Sequence, residues 1–155
     1  MHEFPRSWII HAGAWTFLRD EVDGLASYFI DEDGRYFAFA SGRNIGDDVG
    51  WLSFGASQPE SRGTARMLRL SVDWRGPGGE EWLLADGRID VTREPERHGL
   101  AQTAAAKSRL IGMPLSTLEA ETMLDYFLGL VERDAFKPQP STLVGERLPR
   151  VLSLG

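Results

Sequence analysis

The chain has 155 residues, a net charge of −6, 42% apolar and 10% aromatic side chains, and no cysteine. Such a length and composition describe one folded domain and argue against a disordered tail. They exclude a disulfide framework, a thiolate metal site and a cysteine nucleophile, and the acidic balance argues against nucleic acid or a membrane surface as partner.

The charge is unevenly spread, at about −5 over residues 1–64, about +1 over 65–112 and about −2 beyond. The 15 arginines against 2 lysines, Lys107 and Lys137, read as a GC-rich, bacterial coding sequence rather than a functional signal. Trp8 to Ile10 is the apolar stretch that His11 ends, short of the roughly 7–15 residues of a secretory core. No run reaches the ~18 apolar residues of a membrane span. A soluble, cytoplasmic protein is expected.

Residues 7–18 read as a first strand, apolar on both faces and therefore covered on both sides. Residues 25–30 and 35–40 flank Asp31-Glu32-Asp33-Gly34, a hairpin signal. A glycine-rich loop, SGRNIGDDVG, precedes a fourth strand over 49–56. Residues 66–74 alternate: Leu68, Leu70, Val72 and Trp74 point one way and Met67, Arg69, Ser71 and Asp73 the other, as in a half-buried antiparallel strand. A turn at Arg75-Gly76-Pro77-Gly78-Gly79 leads to a strand over 81–85. Asp86-Gly87 is then a two-residue hairpin signal before a last strand over 88–92.

The period changes next. Residues 96–111 read as a helix stopped by Pro114. Ser116-Thr117-Leu118-Glu119 is a capping box, in which the serine accepts from the backbone while the glutamate reaches back. The helix it opens runs to about residue 133, with Met123, Tyr126, Phe127, Leu130 and Val131 at i, i+3, i+4, i+7 and i+8. Residues 136–155 form proline-spaced pieces with Leu143, Val144, Leu148, Val151, Leu152 and Leu154, an arm expected to lie on its own domain (residues 1–135) or on a neighbour. The expected fold is α+β: about seven antiparallel strands in a strongly curved sheet or partial barrel, followed by two C-terminal helices and the extended arm. Strands followed by a helix make an order similar in architecture to pleckstrin-homology-like rolls, though no residue motif of that family is present.

Gly13-x-Trp15 resembles the short motif near the first strand of lipocalin-like barrels. The resemblance covers three residues and implies a ligand calyx; the two helices depart from that pattern. His11 is the only histidine in an expected strand, either a proton-transfer group or a hydrogen-bonded core residue. His2 and His98 add no ligand spacing, so no metal and no cofactor are expected. Asp31-Glu32-Asp33-Gly34 lacks the later ligands of a calcium loop. Asp47-Asp48 reads as a solvated turn or a functional loop; Gly42-Arg43-Asn44-Ile45-Gly46 and Arg75-Gly76-Pro77-Gly78-Gly79, with one arginine each, read as turns or as loops that could hold an anion. No Gly-x-Ser-x-Gly elbow is present.

Two readings follow. One is a non-catalytic interaction module that binds a protein partner or a second copy of itself, as a homodimer. It would use Leu124, Leu128 and Val131 of the last helix with Leu148 and Val151 of the arm. The other is a small-molecule pocket for an apolar or aromatic ligand, lined by His11, Trp15, Tyr28, Tyr36 and Trp51 with Arg69 as anion partner. Its catalytic version is a cofactor-free isomerase, cyclase or hydrolase; the balance leans away from an enzyme.

Overall fold

The computed structural model describes residues 15–21, 26–31, 35–113 and 115–133, the first two stretches by backbone alone. The strands are β1 (Trp15–Glu21), β2 (Ala26–Asp31), β3 (Tyr36–Ile45), β4 (Asp48–Ser57), β5 (Glu60–Arg62), β6 (Ala65–Arg75) and β7 (Glu81–Asp90). Two helices follow, α1 (Glu94–Leu110) and α2 (Thr117–Glu132). The class is α+β with an antiparallel sheet. The five strands from β3 to β7 carry the described side chains, and β1 and β2 continue the sheet beyond β3.

The sheet runs β1-β2-β3-β4-β6, and β6 also pairs with β5 and β7. Among the described residues β1 and β7 do not pair with each other. The sheet is therefore neither closed nor strongly curled, and the expected partial barrel is corrected. Both helices are used to cover one face of it, the face a barrel would have folded inward. Residues 7–14 of the expected first strand and the arm at 136–155 lie outside the described residues.

Not all of the expected strands are the ones the chain forms. Residues 81–92 do not turn at Asp86-Gly87; β7 passes straight through them, with Asp86 opposite Ser71 and Gly87 opposite Leu70. The irregularity sits instead between Val72 and Asp73 of the partner strand. A Cβ at Gly87 would meet Leu100 of α1 at 3.8 Å, an ordinary contact, so nothing in the packing requires glycine there. The loop SGRNIGDDVG also shrinks. Most of it is strand, and Ile45 opposite Asp48 leaves a two-residue turn. Gly46 supplies the φ of +65° that such turns require at their first position. β5 is a short strand that sequence reading passes over, turned into β6 by Gly63 at φ +63°.

Other signals hold. β2 and β3 pair as the first hairpin predicts, from Ala26 opposite Ser41 to Ile30 opposite Phe37, although residues 32–34 lie outside the described residues. Leu68, Leu70, Val72 and Trp74 are all buried. They join Leu52, Phe54 and Ala56 of β4 and Phe39 of β3 in one core. Phe127 of α2 presses on this surface, with ring centroids 5.8 Å from Phe54 and 6.5 Å from Phe39. Each such large side chain contributes about 1.5–3 kcal/mol by leaving water. Ala101, Ala104 and Ala105 are buried on α1, and their size lets that helix lie close to the sheet.

The helix ends are local chemistry. α1 starts at Glu94, earlier than expected, with Pro95 in its first turn. It ends on Gly112 at φ +77°, where Met113 N donates to Ser108 O (2.9 Å) and Gly112 N to Arg109 O (3.3 Å). That double bond pattern satisfies the last carbonyls, so glycine rather than proline stops the helix. At the start of α2, Ser116 Oγ accepts from Glu119 N at 3.1 Å, as the capping box predicts. The Glu119 carboxylate does its work elsewhere: it takes Arg43 of β3 at 2.6–2.7 Å, fastening the start of α2 to the β3–β4 hairpin.

Candidate functional site

Helix and strand directions give the molecule two distinct ends. β7 runs away from the β6–β7 turn, a three-residue link reverses the chain, and α1 returns. Its 17 residues span about 25 Å at 1.5 Å each, which brings Leu110 back level with the first residues of β7. α2 then runs the other way, from Arg43 at one end to Arg66 at the other.

At the far end a cleft of ≈ 450 Å³ opens between the start of β6, the β7–α1 link and the last turns of α2. Its apolar lining is Val91, Leu128 and Gly129; its polar lining is Arg66, Thr92, Arg97, Asp125 and Glu132. Arg66 Nε meets Glu132 Oε1 at 3.0 Å, and Arg97 Nε stands 3.5 Å from Asp125 Oδ1. The second distance is long for a charge-assisted bond, which runs about 2.7–2.9 Å. Arg97 is anchored otherwise, with Nη1 donating to Val91 O at 2.6 Å.

Asp90 builds the floor of this end. Its Oδ1 accepts from Thr92 Oγ1 (2.6 Å), Thr92 N (3.0 Å) and Arg66 N (3.1 Å). The Thr92 hydroxyl is the main reason its carboxyl sits below the ordinary value of 3.8; burial opposes this, and the two backbone donors and the Arg93 charge add to it. Glu96 accepts from Asp90 N at 3.0 Å, so the link is held from both sides. Next to the cleft, His98 Nε2 is 3.5 Å from Glu94 and Nδ1 is 3.8 Å from Glu121, joining the two helices. Among the described residues no group of three or more histidine or acidic side chains could hold a metal ion.

The opposite end is apolar. Among the described residues six large hydrophobic side chains are exposed. Five of them, Val49, Trp82, Leu83, Leu110 and Leu118, come from the β3–β4 hairpin, the start of β7 and the two facing helix ends. Leu110 is 85% exposed and Leu118 73%. Val49 and Leu83 belong to the sheet face away from the helices, and Trp82, Leu110 and Leu118 to the helix side; scattered single apolar residues need no explanation, but three on one side of one end do.

The sheet face away from the helices is unusual in another way. Ala38, Ala40, Ser53 and Ser71 are buried there, and so is Asp73 at 2% exposure. The polar side of β6 is thus not the solvated face the alternation predicts. Ser53 stands directly opposite Asp73, and its buried Oγ has no hydrogen-bond partner among the described residues.

Of the residues expected to line a pocket, Tyr36 and Trp51 are not brought together. His11 lies outside the described residues, and Trp15 and Tyr28 are placed by backbone alone, opposite Asp31 and Phe39. Tyr36 is opposite Ser57 and Trp51 is opposite Gly42. Six residues of strand separate Ser57 from Trp51, about 20 Å, so the two aromatics cannot share one small ligand. Arg69 is exposed and pairs with Asp86 at 3.3 Å. Leu124, Leu128 and Val131, expected to meet a partner, are 1%, 6% and 5% exposed; they are spent on the chain's own core. Leu148 and Val151 lie outside the described residues. Asp47 and Asp48 form an exposed turn.

Sequence reasoning missed both ends of the helix pair. The cleft joins residues as far apart as Arg66 and Glu132, a distance no local pattern reports. Leu110 was the readable signal: Ala101, Ala104, Ala105 and Ser108 make the buried stripe, and Leu110 falls off it. Comparison with protein families, curated proteins and solved structures gives no match. No helix among the described residues is long and apolar enough to cross a membrane.

Proposed function

We propose that the chain is an interaction module that works through protein–protein contacts, with a second copy of itself as the partner, docking through its apolar end. The observation that carries this reading is the exposure of Leu110 and Leu118 at the two helix ends, with exposed Trp82 on the same side of the sheet, opposite Trp74. The broad α2 stripe, which the sequence offered as the docking face, is consumed by the core. An apolar patch of this kind suits itself, because leucine packs on leucine without a complementary charge, and a two-fold contact uses the same patch twice.

The test is the oligomeric state of the wild type beside a Leu110→Lys/Leu118→Lys variant, by sedimentation velocity across a dilution series. The reading expects a dimer that the two lysines convert to monomer with the fold intact. A wild type that is monomeric at every concentration ends it.

A further inference from the structure

The charged cleft at the opposite end carries a separate inference. Its Arg66 and Arg97 are answered by Glu132 and Asp125, so the cleft is neutral as it stands. A simple anion that takes the two guanidiniums leaves two carboxylates facing it unpaired, and a simple cation strands the guanidiniums instead. The four side chains are 24–53% exposed, so either arrangement gives up surface ion pairs whose loss weakens binding modestly. A ligand carrying both charges exchanges each protein ion pair for a ligand ion pair and strands nothing. The cleft is also primed for that exchange. Arg97 is fixed by the Val91 carbonyl, independently of its acid, and its contact with Asp125 is long at 3.5 Å. Val91 and Leu128 offer an apolar wall between the charges, and ≈ 450 Å³ lies within the usual range of small-ligand sites, about 300–1,000 Å³.

We propose that this cleft binds a small zwitterion with an apolar side chain, in chemical class an α-amino acid, its carboxylate on Arg97 and Arg66 and its ammonium on Asp125 and Glu132. The binding step breaks no covalent bond and needs no cofactor.

Calorimetric titration of the full chain with leucine, valine and phenylalanine, each beside its N-acetyl form (anion only) and its amide (cation only), tests this. At least one free amino acid should bind saturably, with both blocked forms weaker by at least tenfold. Arg97→Ala should weaken it by at least tenfold. Asp125→Asn, an exposed change that leaves the fold in place, should weaken it several-fold, and circular dichroism checks both variants. Absence of binding by all three amino acids overturns the proposal. So does an N-acetyl form that binds as well as its parent, which would make the cleft an anion site, or binding that Asp125→Asn leaves unchanged.

Discussion

The two ends of the α1–α2 pair are made from the same helices and treat their surface oppositely. At the cleft end every charged lining group has an opposite charge within 4 Å, and the β7–α1 link is tied down by Asp90. At the other end, large apolar side chains stand in water with nothing described against them. The cleft end satisfies itself and can open only to something that replaces its pairs. The apolar end is unsatisfied, and association is what would relieve it. An inventory of residue types would have ranked these ends the other way, since charges draw attention and leucines read as core.

The comparison breaks most completely where the ends share support. Phe127 is fully buried against Phe39 and Phe54, so Phe127→Ala should cost about 3–5 kcal/mol, measured by urea denaturation. A loss under about 1 kcal/mol would mean that α2 is not seated on the sheet as described. Gly50→Ala touches only the apolar end. A Cβ there runs into the Trp74 ring and approaches the Arg75 carbonyl at 3.1 Å, an overpacking worth about 1–3 kcal/mol. It should weaken association too, while leaving the cleft alone.

Ser53→Ala belongs to neither end. The hydroxyl is buried without a partner among the described residues, so its removal should leave stability unchanged or raise it by about 1 kcal/mol. A clear destabilisation in thermal melting would show that Ser53 Oγ has a partner in solution. The smallest effect is confined to the cleft end and to acid. Asp90 is held below its ordinary 3.8, first by Thr92. Its contribution is therefore complete above that value and is lost as pH falls through the lower, folded one. Stability against pH should lose part of its acid-side slope in Asp90→Asn. An unchanged slope would remove Asp90 from the account.

Local chemistry was legible in the chain and long-range assembly was not. The apolar side of β6, the β2–β3 pairing and the Ser116 cap each depend on neighbours a few residues away, and each appears in the structure; the other side of β6 is buried at Ser71 and Asp73, against the alternation. Asp86-Gly87 misled because the dipeptide permits a hairpin without requiring one, and here both residues pair in a continuous strand, opposite Ser71 and Leu70. Glu119 misled because Arg43, 76 residues away, offered its carboxylate a stronger partner than the helix start. The aromatic pocket failed on distance along β4, which residue type does not encode.

The apolar end is the central claim, and sedimentation velocity on the wild type and the Leu110→Lys/Leu118→Lys variant tests it most directly. Both side chains are exposed, so the substitutions should leave monomer stability within about 0.5 kcal/mol. Self-association should weaken by tenfold or more, since each lysine brings an unpaired charge into an apolar contact and, across a two-fold axis, meets like charge. A dimeric wild type and a folded, monomeric variant are the predicted result. A variant that dimerises like the wild type, or a wild type that never dimerises, would contradict it.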